Sequence, residues 1–270
     1  MSRVATEKKI KVVQKDAPQK QVETSQKVPE HIECPSGYYE VQNLPSKMKF
    51  YPEGTKIFAR PLKILDVKKL SSMSEETADE TIREVLKSSV VGIDVDDILL
   101  ADKYYIIYWQ RANTYVGDHF AIECECEDCH KKERVNFTVD QLEVKSIKDD
   151  CPFLNEIELP SGNKVELGYL RIGDEAKIAE ALRMVPGADP DVMNLSAVIK
   201  TINGEEKSTK EKYDFLTAAD MSDVLVITKL LTENELSIVP SIKHVCTGCG
   251  RSAEIDISFQ PNFFIPEYLL

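Results

Sequence analysis

Apolar positions along this chain switch between two rhythms. Order begins near Tyr38 with the run Tyr39-Glu40-Val41, and alternation marks short strands at Lys56-Ile57-Phe58-Ala59-Arg60 and at Lys164-Val165-Glu166-Leu167. It returns as two pairs of runs, one around residues 120–139 and one around 242–257. A period near 3.6 marks helices. One starts at Asp66 and carries Val67, Leu70 and Met73; a second follows Ser74, a good N-cap with acidic residues in its first turn, and carries Ile82, Val85 and Leu86. A third runs from about Asp97 to Tyr115 on Leu99, Ile106, Trp109 and Ala112, and Gly117-Asp118 closes it. Its aromatic run, Tyr104 to Trp109, reads as core rather than as a stacking platform. Further on, Asp174 opens a helix with Ile178, Ala181 and Leu182. Asp189-Pro190, an N-cap followed by an N1 proline, opens another over 189–202. Ala219-Asp220 leads a last one carrying Val224, Leu225, Ile227, Leu230 and Leu231.

The order of these elements repeats. Leu44-Pro45-Ser46 makes a turn, a strand follows, then helices, the helix carrying Ala101-Asp102, and a hairpin holding Cys126-Glu-Asp-Cys129. Leu159-Pro160-Ser161 opens the same series, which runs through Ala219-Asp220 to a hairpin holding Cys246-Thr-Gly-Cys249. Leu44 lies 82 residues before Cys126 and Leu159 lies 87 before Cys246; the two aspartates lie 24 and 26 residues before their knuckles. The expected fold class is therefore α+β, with two similar halves from one duplication, 36–150 and 151–270, packed as one unit. Residues 1–35 carry Lys, Gln, Glu, Ser and Pro and almost no large apolar side chains, so a disordered N-terminal arm is expected there.

A Cys-x-x-Cys in a tight hairpin turn puts two thiolates side by side. Two such turns supply the closed tetrahedron of a structural zinc site, so Cys126, Cys129, Cys246 and Cys249 are the expected ligands of one ion. Gly250 after the second knuckle suits a position that often needs positive φ, and His130 fits its counterpart less well. Cys124 and His244 each lie two residues before a knuckle, on the same strand face as its first cysteine, and with His130 they are the alternative ligands. A redox Cys-x-x-Cys opens a helix, whereas these lie between strands. Cys34 and Cys151 have no partner spacing and are expected to be buried or idle thiols.

Composition removes other classes. The net charge of −12 repels phosphates, and the first thirty residues lean basic, which leaves the remainder near −15. No apolar run approaches a membrane span, and no signal-peptide core opens the chain. There is no Gly-rich phosphate loop. Four histidines, His31, His119, His130 and His244, poorly supply a catalytic constellation. A zinc-ribbon nucleic-acid adaptor stays as the second reading, carried by Lys131, Lys132, Arg134 and Arg251 against the acids Glu123, Glu125, Glu127, Asp128 and Glu133.

Together, Leu44-Pro45-Ser46, Arg60-Pro61-Leu62, the Ala101-Asp-Lys-Tyr-Tyr-Ile-Ile107 helix, Phe120-Ala-Ile-Glu-Cys-Glu-Cys-Glu-Asp-Cys129, Cys246-Thr-Gly-Cys-Gly250 and the closing Asn262-Phe263-Phe264-Ile265-Pro266 form an ordered set. It resembles the baseplate hub and hub-assembly proteins of T-even-like contractile-tailed bacteriophages. The resemblance covers about residues 36 to 268 and maps that family's two knuckles onto Cys126, Cys129, Cys246 and Cys249. It implies a non-enzymatic structural or chaperone-like protein in the cytoplasm of the infected host, with a place in the tail baseplate. Its implied partners are other tail proteins, the tape-measure protein a candidate among them, with no small-molecule substrate. The apolar stretch Phe263, Phe264, Ile265, Pro266 and Tyr268 is then a candidate contact patch, the competing reading being a tail folded back on the core.

Overall fold

The computed structural model describes residues 12–13, 33–115, 120–257 and 261–265. Most of the N-terminal arm, His31, Gly117-Asp118, His119, Pro266 and Tyr268 lie outside the described residues. In chain order the strands are β1 (Val12–Val13), β2 (Tyr39–Glu40), β3 (Phe58–Ala59), β4 (Val90–Val91), β5 (Phe120–Glu125), β6 (Lys132–Phe137), β7 (Val144–Lys145), β8 (Glu156–Glu158), β9 (Lys164–Leu167), β10 (Ile199–Ile202), β11 (Glu205–Glu206), β12 (Ser237–Ile238), β13 (Ser241–Val245) and β14 (Ser252–Asp256). The α-helices are α1 (Ile64–Ser71), α2 (Ala78–Ser89), α3 (Leu100–Thr114), α4 (Ile172–Met184), α5 (Pro190–Ala197), α6 (Thr209–Ala218) and α7 (Met221–Glu233).

The chain forms two compact units. One comprises the described residues of Val28–Ile147, Arg171–Gly173 and Leu236–Leu270. Its small antiparallel sheet runs β2-β3-β4 and its core is built on α1, α2 and α3. On α2 the residues Ile82, Val85, Leu86 and Ser89 repeat at helical spacing and are buried. Helix α3 is buried on several sides, through Tyr105, Ile106, Ile107, Tyr108 and Ala112, so no single apolar stripe marks it. Trp109 is only half-buried and packs against the Tyr39 ring. Arg60 ties α1 to α2: its guanidinium meets Asp66 at 2.7 Å and the Ser88 carbonyl at 3.1 Å. Despite burial, Arg60 and the Lys63 N–H hold the Asp66 carboxyl below its ordinary range.

This unit also holds both hairpins, β5-β6 and β13-β14. The second hairpin comes from the far end of the sequence and sits with the first half's core. Phe264 is fully buried and Phe263 stacks edge-on against Tyr108, while Arg111 donates to the Phe263 carbonyl at 2.8 Å. The contact-patch expectation therefore fails for this aromatic pair, which is folded back against α3 because burying two rings outweighs leaving them in water.

The other unit comprises the described residues of Met1–Lys27, Lys148–Leu170 and Asp174–Glu235. Its antiparallel sheet runs β1-β8-β9-β10-β11. Val12 and Val13, expected to lie in a disordered arm, pair with Ile157 and Glu156. Ile178, Ala181 and Met193 form a core against Leu170, Leu182 and Tyr213. The helix expected over 189–202 stops at Ala197, and Ile199–Ile202 turns through Asn203-Gly204, both at positive φ, into β11. Helix α6 was not anticipated, although Ser208 and Glu211 form the capping box that announces it.

The Leu-Pro-Ser turns are built alike. In the first, the Lys47 N–H donates to Leu44 O at 2.9 Å and the Ser46 N–H to Asp102 Oδ1 at 3.1 Å. In the second, Gly162 donates to Leu159 O at 2.9 Å and Ser161 to Asp223 Oδ1 at 3.0 Å. Asp102 and Asp223 are both buried, each the third residue of its helix. The bonding partner of the second turn is thus Asp223, three residues beyond the Asp220 chosen from sequence, because Asp220 is the N-cap of α7.

Candidate metal centre

Each knuckle is a hairpin tip closed by the same pair of backbone bonds. In the first, Cys126 N–H donates to Lys131 O at 3.0 Å and His130 N–H to Cys126 O at 2.9 Å. In the second, Cys246 N–H donates to Arg251 O at 2.8 Å and Gly250 N–H to Cys246 O at 2.9 Å. The residue after the last cysteine is left-handed in both, with φ of 55° at His130 and 76° at Gly250. The six-pair ladder of β5-β6 and the five-pair ladder of β13-β14 hold these tips on regular strands.

The two tips meet. Cys126 Sγ lies 3.6 Å from Cys249 Sγ, and Cys129 Sγ lies 3.6 Å from Cys246 Sγ. All four sulfurs fall within 4.8 Å of one another. The Thr-Gly step is part of the fit: a Cβ on Gly248 would come within 3.2 Å of Cys129 Sγ and 2.9 Å of the Lys131 side chain. The Cys129 and Asp128 N–H groups draw the Cys126 thiol down to about 7. Cys129 behaves oppositely: the Lys131 N–H pulls it down, but its contact with Cys246 and desolvation push it up to about 12. One thiol of the group is thus drawn towards ionisation while a neighbour is held back, and four thiolates this close would repel one another without a cation between them. A bound dication removes that conflict. Four convergent sulfurs suit one structural ion of the zinc type, with no place left for water or substrate.

The alternative ligands lie outside this group. The Cys124 thiol contacts the Glu133 carbonyl at 3.7 Å, and burial followed by the Glu133 charge pushes its pKa up. His244 Nε2 bonds the Glu133 carboxylate at 3.0 Å, and the exposed His130 bonds Glu125 at 3.1 Å. Cys34 is exposed with its thiol on Tyr38 O, and Cys151 is buried against Tyr169.

Sequence reasoning missed the polar ties between the hairpins. Glu133 bonds the Thr247 N–H at 3.1 Å and also its hydroxyl. These bonds, led by the Thr247 hydroxyl and then His244, hold the Glu133 carboxyl below its ordinary value. Arg251 pairs with Glu127 at 2.9 Å and with Asp128. Lys131 pairs with Glu133 at 3.1 Å and donates to Thr247. One signal was available in the sequence: Lys131 and Arg251 stand at the same distance, five residues, after the first cysteine of their knuckles.

A closed four-sulfur cluster on two hairpins whose tips meet defines a metal-stabilised structural protein rather than a metalloenzyme. The T4 bacteriophage base plate protein family matches residues 38–265, and the chain belongs to that family. No curated protein and no solved structure is matched significantly. The protein is thus a non-enzymatic structural or assembly component of the phage baseplate that works through contacts with other tail and baseplate proteins. Among the described residues, no helix is long and apolar enough to cross a membrane.

Proposed function

We propose that this protein is a hub or hub-assembly component of a contractile-tail baseplate, acting in the host cytoplasm, with the tape-measure protein among its partners. Its ligands for one zinc ion are Cys126, Cys129, Cys246 and Cys249, while Cys124, His130 and His244 stay off the metal. The ion joins hairpins whose facing cysteines are 117 residues apart in the chain. A crosslink closing a loop of that length stabilises by about 5 kcal/mol on chain-entropy grounds. Metal binding here is then folding free energy.

The halves 36–150 and 151–270 are two copies of one unit: strand, Leu-Pro-Ser turn, strand, helices, strand, a helix with a buried Asp in its first turn, and Cys-x-x-Cys hairpin. The paired turn-to-aspartate bonds at Asp102 and Asp223 support this, being the same three-part contact at matching places. The nucleic-acid adaptor gains no support, because Lys131 and Arg251 are engaged by acids of the hairpins themselves.

The observation that carries the proposal is the family match together with the four-sulfur cluster. Elemental analysis of purified wild type and of a Cys126→Ser/Cys246→Ser variant tests it. One zinc per chain in the wild type and none in the variant is expected. A well-folded wild type free of zinc sinks the metal part. For the hub part, affinity capture from infected cells should recover baseplate hub components, and capture without any tail protein counts against it.

A further inference from the structure

The ties around the sulfurs are reciprocal. Lys131 and Arg251 occupy equivalent places, since the carbonyl of each accepts the N–H of its knuckle's first cysteine. Each sends its side chain to the interior of the opposite knuckle: Lys131 to Thr247, Arg251 to Glu127 and Asp128. Glu133 adds a third tie from the first hairpin, gripping Thr247 through both its N–H and its hydroxyl and bonding His244 as well. The Glu133 side chain is only 10% exposed, and its bonds to Thr247 and His244 are charge-assisted. None of them uses a sulfur atom. In many small zinc modules the metal alone holds the ligand loops together. Here a polar clamp spans the same gap.

We propose that the two hairpins dock through this clamp in the absence of metal, and that Glu133 is its positioning residue, fixing Thr247 and with it the adjacent Cys246. The site is thus assembled first and loaded second. The proposal rests on the metal reading only for the purpose of the clamp; docking itself can be read without any ion.

The test uses the full chain, stripped with EDTA under reducing conditions, freed of reductant and briefly oxidised with diamide. Each disulfide forms from two thiols, whose protons and electrons pass to diamide and give the hydrazine. Peptide mapping then reports the pairing. Docked hairpins give the cross-hairpin bonds Cys126–Cys249 and Cys129–Cys246, the pairs already in contact, whereas separated hairpins can give only Cys126–Cys129 and Cys246–Cys249. Cross-hairpin bonds are expected in the wild type. Their share should fall at least about tenfold in Glu133→Ala, the equivalent of losing one charge-assisted hydrogen bond. Arg251→Ala, a second route to weakening the clamp, should lower it too, with far-UV circular dichroism of each variant reporting retained fold. Pairing confined within each knuckle in the wild type, or cross-hairpin pairing unchanged in both variants, overturns the proposal. A wild type that carries no zinc but still gives cross-hairpin bonds sinks the metal reading and leaves the clamp standing.

Discussion

The first knuckle reads Cys126-Glu-Asp-Cys129-His130 and the second Cys246-Thr-Gly-Cys249-Gly250, yet the same two backbone bonds close both. What differs is how each sequence meets the shared geometry. The second places glycine where the backbone turns left-handed, and a further glycine where sulfur crowds the chain. The first sets a histidine at φ 55° and an aspartate at the place equivalent to Gly248, and that aspartate pairs with Arg251. The second knuckle meets the turn with two glycines and the first with side chains, while both reach across the gap, through Thr247 and through Glu127 and Asp128. The hairpin geometry is therefore imposed by the tip bonds and the sulfur cluster, and side-chain preference adjusts it only at the margin.

The largest test of this comparison removes what the knuckles share. Cys126→Ser/Cys246→Ser should lower unfolding stability by about 5 kcal/mol or more, measured by urea denaturation against the zinc-loaded wild type. A small loss would mean that the polar ties, not the sulfurs, impose the common geometry. Next come the turns behind the knuckles. Asp102 accepts from Ser46 N–H and, at 2.6 Å, from the Tyr51 hydroxyl. Asp102→Ala leaves both buried donors without that acceptor and should cost about 2–5 kcal/mol. Asp223→Ala withdraws the acceptor from the Ser161 N–H and should cost about 1–3 kcal/mol. Equal losses would mean that the two halves depend on their turns alike. At the tips the signs should oppose. Gly250→Ala forces an L-residue into the left-handed region and should lose about 1 kcal/mol, with open space around the added Cβ. His130→Gly should gain about 0.5–1 kcal/mol, since the Glu125 contact it forfeits is exposed and worth little. A loss on His130→Gly would assign His130 a role that its surroundings do not show.

Much of this molecule was legible in its residues, and the rest was hidden for definable reasons. Four cysteines in two evenly built tips announced their cluster, because ligand spacing is a local property that survives 117 residues of separation. The α2 face was equally plain. Helix α3 was harder: with apolar, aromatic and polar residues buried around it, the core reading of the aromatic run holds for Tyr105, Ile106, Ile107 and Tyr108, whereas Tyr104 is exposed and Trp109 only half-buried. The strand after α5 was read as helix although Ile199-Lys-Thr-Ile202 before Asn203-Gly204 carries a hairpin signal. The Asp220 choice followed a dipeptide, whereas the structure uses the acid that faces the turn, Asp223. Glu133 gripping Thr247 could not be read at all, since nothing local marks one glutamate among five acids beside a knuckle.

The placement of the second hairpin with the first half's core has a consequence for the making of the chain. A ribosome adds roughly 5–20 residues per second. The first tip therefore leaves the peptidyl-transferase centre well ahead of the second: the 117 residues from Cys129 to Cys246 take about 6 to 23 s to translate. Throughout that interval Cys126 and Cys129 stand as a lone dithiol, without their facing sulfurs and without Thr247, the residue that Glu133 and Lys131 grip. Translation speed across the intervening stretch thus sets how long a nascent half-site is exposed to oxidants and to competing soft metals.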